Sequence, residues 1–294
     1  MSTGMCKDCI QGSIHEGEAK GEVTTVHGFD TYVAHPPSTA GESPAVIVLL
    51  PDGLGWTGPN LRLTADRYAA RTGCKVYLPD FMAGRSMPQW LLDFPIEEIA
   101  YNWTSPRALF WKPYYIFWSM WVVIPFRLKN GYPESHKRVV KFLTELRKTE
   151  EGRKKLVGVA GFCWGGKHAF LLGAKKSQEG DKPYLIDFAF SGHPSSLEVP
   201  KEIDELECPM SVAMGTDDFM NSVEFSKDLK DRLEKKEGRA QGSHLVFWEG
   251  GNHGFACRAD LKNERLKECA DGAEDQFVSW VHKMAETIKP IDSD

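Results

Sequence analysis

The chain has 294 residues, 41% of them hydrophobic, enough to bury a full core as one large domain or as a domain with a cap. Its formal net charge of −5 argues against nucleic acid as a partner. Seven cysteines, an odd number in a chain this large, fit a reducing compartment better than a disulfide framework. In chain order, residues 1–20 read as an N-terminal arm; Met1 to Gly12 is polar and no apolar signal segment follows, so the cytoplasm is the expected location. Val23 to Ala34 and Ala45 to Leu50 read as strands, Leu61 to Thr72 as a helix, and Cys74 to Leu78 as a strand ending at Pro79-Asp80. After an unusual segment at 85–132, Glu134 to Lys148 reads as an amphipathic helix feeding a buried strand at Lys155–Ala160 and an Ala/Leu-rich helix at Lys167–Lys175. Tyr184 to Ser191, Cys208 to Gly215 and His244 to Trp248 read as further strands. Asn221 to Lys235 and Ala259 to Ile288 read as helices, with 289–294 a tail. Such alternation predicts an α/β fold, a mostly parallel sheet with helices on both faces, as one domain over 21–288.

The most informative stretch is Gly161-Phe162-Cys163-Trp164-Gly165-Gly166, between a predicted strand and a predicted helix. Gly-x-nucleophile-x-Gly at such a junction is the nucleophile elbow of α/β hydrolases. The turn is sharp, so the neighbours two positions either side must lack a Cβ for strand and helix to approach. It also aims the helix N-terminus at the side chain, which favours a thiolate and later an oxyanion. The same letters arise by chance in strand–loop–helix segments, and a free cysteine is usually a small buried hydrophobe, so the partners decide.

A hydrolase triad of this kind runs nucleophile, acid, histidine along the chain. Downstream of Cys163, the strand at 208–215 runs into Thr216-Asp217-Asp218, at the carboxyl end of a strand, where open α/β sheets place functional residues. The strand at 244–248 is followed by Glu-Gly-Gly-Asn-His253-Gly-Phe, a glycine-flanked loop suited to a well-aimed general base. Three signals in the required order make Cys163, His253 and one of the two aspartates the expected triad. These segments resemble the dienelactone hydrolase family (carboxymethylenebutenolidase-like), above all its fungal-type branch. The family elbow Gly-x-Cys-x-Gly-Gly matches Gly161 to Gly166, its Met-Gly-x-x-Asp pattern matches Met214 to Asp218, and its Gly-x-x-His-x-Phe matches Gly250 to Phe255. The resemblance runs from Gly21 to Met284. It implies an α/β-hydrolase fold, no cofactor, and hydrolysis of an ester or lactone; spacing assigns the acid to Asp218, with Asp217 as second choice.

In this fold the loop after the first buried strand, Pro51-Asp52-Gly53-Leu54-Gly55-Trp56, supplies one oxyanion N–H, assigned to Gly53; Trp164 supplies the other. The family places a glutamate at the position of Asp52, in contact with the resting thiol. The shorter aspartate leaves two readings, a group near the nucleophile or an ordinary Pro-Asp-Gly turn. The family's best-known substrates carry a carboxylate held by arginines. That makes Arg258, one position later than in the bacterial pattern, and Arg85 and Arg107 candidate substrate contacts, each with a solvated surface arginine as its alternative. Trp56, and His193 after a strand terminus, are further candidates for the pocket border.

Residues 85–132 hold five of the nine tryptophans, Trp90, Trp103, Trp111, Trp118 and Trp121. A membrane span would need about 20 uninterrupted apolar residues, and Lys112, Pro113 and Pro125 break the run. A membrane-surface anchor lacks a matching basic face. The preferred reading is a helical cap lining the acyl pocket, with helices that complete the core as the plainer version. Its few charges favour a bulkier or more apolar substrate. Cys6-Lys-Asp-Cys9, with His15, is at most half a zinc site, so no metal is expected. The expected partner is a small-molecule ester or lactone, and the assembly a monomer or homodimer. The rival readings are a thioesterase or other hydrolase of altered substrate class, a redox-sensing relative using Cys163, and an interaction or peripheral membrane protein using the aromatic segment.

Overall fold

The computed structural model describes residues 12–39, 41, 43–93, 106–174 and 183–288, and at some helical positions, residues 106–110 and Lys112 among them, the backbone alone. Phe94, Trp103 and the Cys6–Cys9 pair lie outside the described residues. The strands are β1 (Glu22–Val26), β2 (Phe29–Ala34), β3 (Ala45–Leu50), β4 (Lys75–Pro79), β5 (Leu156–Phe162), β6 (Phe188–Gly192), β7 (Met210–Asp217) and β8 (His244–Asn252). They form one sheet in the order β1-β2-β4-β3-β5-β6-β7-β8. β1 and β2 pair antiparallel, as do β2 and β4; from β4 to β8 every pairing is parallel. The helices are α1 (Pro59–Thr72), α2 (Pro106–Asn130), α3 (Tyr132–Lys148), α4 (Glu150–Lys154), α5 (Trp164–Gly173), α6 (Lys201–Asp204), α7 (Val223–Glu234), α8 (Phe255–Arg258) and α9 (Glu264–Thr287).

Why the parallel strands read as unbroken apolar runs is visible in β3, buried along its whole length. Val46, Val48 and Leu50 face the layer of α3, α5 and α7, packing in one cluster with Phe142, Phe170 and Leu229. Ala45, Ile47 and Leu49 face the layer of α1 and α9, in a second cluster with Tyr68 and Phe277. The period of two thus loads both cores from one strand. Tyr68 and Phe277 stack with ring centroids 4.0 Å apart, joining α1 to α9 across the second layer.

Two expectations need correction. Val23 to Ala34 is a hairpin rather than one strand, because His27 (φ 53°) and Gly28 (φ 81°) both take positive φ, the requirement of a two-residue primed turn. Ala259 to Ile288 is not one helix either. Ala259 is extended, and α9 begins only after Asn263, whose side chain accepts the Leu266 N–H at 3.3 Å and caps it.

Most of the 85–132 segment that is described is α2, which continues through both Pro113 and Pro125. Its Phe117, Met120, Trp121 and Leu128 are exposed, whereas Phe126 is buried at the mouth of the sheet's carboxyl edge. No helix among the described residues is long and apolar enough to cross a membrane. Residues 12–20 lie against the domain: Ser13 donates its N–H to Arg258 O at 3.0 Å, and His15 its N–H to Asn60 Oδ1 at 2.9 Å.

Below β5 and β6, Arg147 is buried and fully bonded. It donates from Nε to Leu185 O (2.9 Å), from one terminal nitrogen to Gly152 O (3.0 Å), and from the other to Asp187 Oδ2 (2.9 Å). Asp187 Oδ2 also accepts the Val157 N–H at 2.8 Å, which sets the level at which β5 starts. Removing one partner of such a pair leaves a buried charge without compensation. Asp187→Ala is therefore expected to lower unfolding stability by about 3–5 kcal/mol, read from the urea midpoint at unchanged slope; a loss under about 1 kcal/mol would show that water reaches the guanidinium.

Candidate active site

The elbow places its cysteine by close backbone approach. Cys163 adopts φ 50°, ψ −109°, an unfavourable conformation for a non-glycine residue, of the kind that costs on the order of 1–3 kcal/mol. Its surroundings leave it no other: its N–H donates to Gly192 O (3.1 Å), and its carbonyl accepts from Gly166 N–H (3.0 Å) and Ser195 N–H (3.1 Å). The glycines around it are there for room. A Cβ at Gly161 would collide with Gly165 O, one at Gly165 with Leu50 O, and one at Gly166 would come within 2.8 Å of Pro194 Cα.

Two loops at the carboxyl ends of β7 and β8 bring the other groups. His253 Nε2 lies 3.1 Å from Cys163 Sγ, and His253 Nδ1 lies 3.0 Å from each oxygen of Asp218. Asp218 is held in turn by the Met220 N–H (2.8 Å) and the Asn221 Nδ2 (3.3 Å). Asp217, the second choice, is exposed and turned to the Thr216 hydroxyl. Burial disfavours charge on both reacting groups, yet their mutual attraction outweighs it. The imidazolium and its hydrogen bond bring the Cys163 thiol below its ordinary pKa; the thiolate, then Asp218, raise His253 to about 9.

The Asp52 loop forms the facing wall. Within it the Leu54 N–H is taken by Asp52 Oδ1 (3.1 Å) and the Gly55 N–H by Asp52 O (3.0 Å). Asp52 is buried and turned towards Arg258, whose Nε lies 3.2 Å from Oδ2, and towards the Cys257 thiol at 3.8 Å; the hydrogen-bond partner of Cys163 is His253. Burial raises the Asp52 pKa, against the opposing pull of the Arg258 charge and the Leu54 N–H.

A cavity of about 720 Å³ opens above Cys163. Of the residues expected there, Gly53, Trp164, Asp52, Cys163, His253 and Arg258 line it. Trp56 does not; it is buried in the core beside α1, with the Arg62 guanidinium 5.0 Å from its ring. Arg85 is exposed and is not on the cavity wall; its carbonyl accepts from Asn130 Nδ2 at 2.8 Å. Arg107 lies on α2, but its side chain is outside the described residues. His193 sits just behind the wall, fully buried, its ring 5.1 Å from that of His253. Burial, then the charges of His253 and Arg258, hold its pKa well below the ordinary value.

Met87, Leu92, Phe126, Arg127, Asn130, Gly131 and Tyr132, from the 85–132 segment expected to line the pocket, are on the cavity wall, as are Ser195, Ser196, Phe219 and Met220, which sequence reasoning missed. Ser195 and Ser196 follow the end of β6, and Phe219 and Met220 follow Asp218, so the strand-end rule could have found these four. Among the described residues no cluster of three or more His, Cys, Asp or Glu could hold a metal ion.

The dienelactone hydrolase family model matches residues 122–285, more than half of the chain. Hydrolase pyvD of Aspergillus violaceofuscus is 26% identical over 94% of this chain and 95% of its own length. Hydrolase tropI of Talaromyces stipitatus is 25% identical, covering 94% of both. In fold, the chain is similar to the solved structure of a putative dienelactone hydrolase from Klebsiella pneumoniae, with TM-score 0.57 and 17% identity over 87% of this chain and 93% of that one. With the elbow, the sheet and this match in hand, the chain belongs to the dienelactone hydrolase family of α/β-fold enzymes, hydrolases of esters and lactones.

Proposed function

We propose that this hydrolase cleaves its ester or lactone through a Cys163–His253–Asp218 triad and a thioester acyl-enzyme. The observation that carries the reading is the unbroken chain of contacts from Cys163 Sγ through both ring nitrogens of His253 to Asp218. The Cys163 thiolate attacks the carbonyl carbon, and the new oxyanion falls between the N–H groups of Gly53 and Trp164. As the tetrahedral species collapses, the C–O bond breaks and His253 gives its proton to the departing oxygen; in a lactone that oxygen stays tethered. His253 then takes a proton from water, whose oxygen attacks the thioester, and the thiolate leaves again. The products are an acid and an alcohol or enol, and the enzyme returns to its starting charge. Asp218 keeps the imidazole in the useful tautomer throughout.

A thiolate leaves a tetrahedral intermediate far more readily than an amine does, which favours activated esters over peptides. In this reading, residues 85–132 act as a cap that shapes the acyl pocket through Phe126 and Asn130 at the carboxyl end of α2.

Cys163→Ala is expected to lower kcat/KM for p-nitrophenyl acetate by at least about 10⁴-fold, and Asp218→Asn by about 10²–10⁴-fold; a Cys163→Ala enzyme that keeps a tenth of the activity would sink the nucleophile. The thiolate has its own signature. Because His253 lowers the Cys163 pKa, the rate of alkylation by iodoacetamide should persist as pH falls below the ordinary thiol range, dropping only when the thiol protonates. In His253→Ala the same midpoint should move up, since burial then acts without its opponent. A midpoint that stays put, or falls, would rule out the ion pair.

A further inference from the structure

The acyl cavity is large and its long walls are apolar. About 720 Å³ falls in the range that encloses drug-sized ligands, about 300–1,000 Å³, and Leu54, Met87, Leu92, Phe126, Phe219 and Met220 line it. The cation beside the reacting atoms is Arg258, and it is not presented to the cavity as an open anion site. Its Nε lies 3.2 Å from Asp52 Oδ2, with the two side chains 7% and 5% exposed. It is also held in place. Its N–H donates to Gly254 O (2.9 Å), and its carbonyl accepts from Ser13 (3.0 Å). Its guanidinium lies so close to Gly254 that any Cβ there would collide with it.

The sum of charges points the same way. Among the described residues, the thiolate–imidazolium form of the reacting centre sets Cys163, Asp52 and Asp218 on the negative side against His253 and Arg258 on the positive side. A carboxylate next to the scissile carbonyl would bring a further negative charge into a buried site where Arg258 already faces Asp52. Arg127, at the end of α2, also lines the cavity, but it is exposed and screened by water.

Building on the hydrolase reading above, we infer that the site selects a bulky, uncharged and mainly apolar ester or lactone, and that the Asp52–Arg258 pair discriminates against substrates with a carboxylate close to the scissile carbonyl. Asp52 is then a specificity-determining residue: it occupies the guanidinium that an anionic acyl group would need. Phe126 and its apolar neighbours supply the complementary preference for size.

The experiment compares p-nitrophenyl butyrate with mono-p-nitrophenyl succinate, which differ by a terminal carboxylate, and p-nitrophenyl octanoate with the acetate. The wild type is expected to favour butyrate over the succinate half-ester by at least about tenfold in kcat/KM. Asp52→Asn should move that ratio towards the half-ester by about tenfold, whatever it does to the absolute rates, because the Asp52 charge that opposes Arg258 is then gone. Octanoate should be preferred to acetate by about 10–200-fold, and Phe126→Ala should narrow the gap. A half-ester turned over as well as butyrate by the wild type, or a ratio unmoved by Asp52→Asn, would overturn the inference while leaving the hydrolase intact. Should no ester be turned over, the hydrolase reading fails by itself. Calorimetric titration of Cys163→Ala protein with butyl butyrate and with monobutyl succinate still decides the inference: tighter binding of the neutral ester supports it, and tighter binding of the anion refutes it.

Discussion

Everything in the site depends on one turn that the chain would not adopt unaided. Cys163 has positive φ, and its strain is tolerated because β5 and α5 meet there at backbone-contact distance. Three glycines make that approach possible, and the bonds from Gly192, Gly166 and Ser195 make it obligatory. The consequence is directional. The thiol rises above the carboxyl edge of the central strands, at the N-terminus of α5, where the loops after β7 and β8 can reach it. A nucleophile on an ordinary helix or strand would be either buried in the sheet or turned to solvent.

Around that point the protein builds two charged pairs that behave differently. The His253–Asp218 pair is aligned for hydrogen bonding and fixes the ring, so the charge on His253 is available to the thiol. The Asp52–Arg258 pair is a contact of charges less than 4 Å away, with His193 and the Cys257 thiol as further neighbours. A buried pair of this second kind contributes little net stability, because desolvation offsets most of its attraction. Its effect is on the local field, where it cancels a positive charge that would otherwise face the substrate.

The elements that carry chemistry were the most legible in the sequence. The elbow, the Asp217-Asp218 loop and the His253 loop each combine a β-rich run with a strand-end motif, and each sits where those signals put it. Between the two aspartates, the spacing of the family pattern favoured Asp218, and it is Asp218 that is buried against His253 while Asp217 is exposed. The arginines were less legible, since an arginine's role depends on its neighbours in space. Arg258 meets Asp52 across 206 positions, whereas Arg85 faces away from the cavity, and nothing in their local sequence separates them. Trp56 was hard for the same reason: a large apolar residue in a functional loop looks alike whether it lines a pocket or packs in the core. The missed hairpin at His27-Gly28 needed a non-glycine residue at positive φ, which composition rarely announces.

In the proposed reading, the aromatic segment lets such a fold vary its substrate without disturbing its chemistry. Several of the large apolar residues of α2 stand in solvent. Its last residue, Asn130, is buried and carries the connection. The Asn130 carbonyl accepts the Trp164 indole N–H at 3.1 Å, its Oδ1 accepts from Arg138 (2.7 Å), and its Nδ2 donates to Arg85 O (2.8 Å). Tyr132, two residues on, stacks on Trp164 and bonds to Ser195 through its hydroxyl. The Trp164 side chain, next to Cys163, is thus fixed by the point where α2 ends, while Phe126 one turn earlier lines the cavity. A change of size or polarity at Phe126 alters what the cavity accepts. A change at Asn130 would reach further, because its hydrogen bonds tie the end of α2 to Arg85, to Arg138 and to the indole of Trp164 beside the turn.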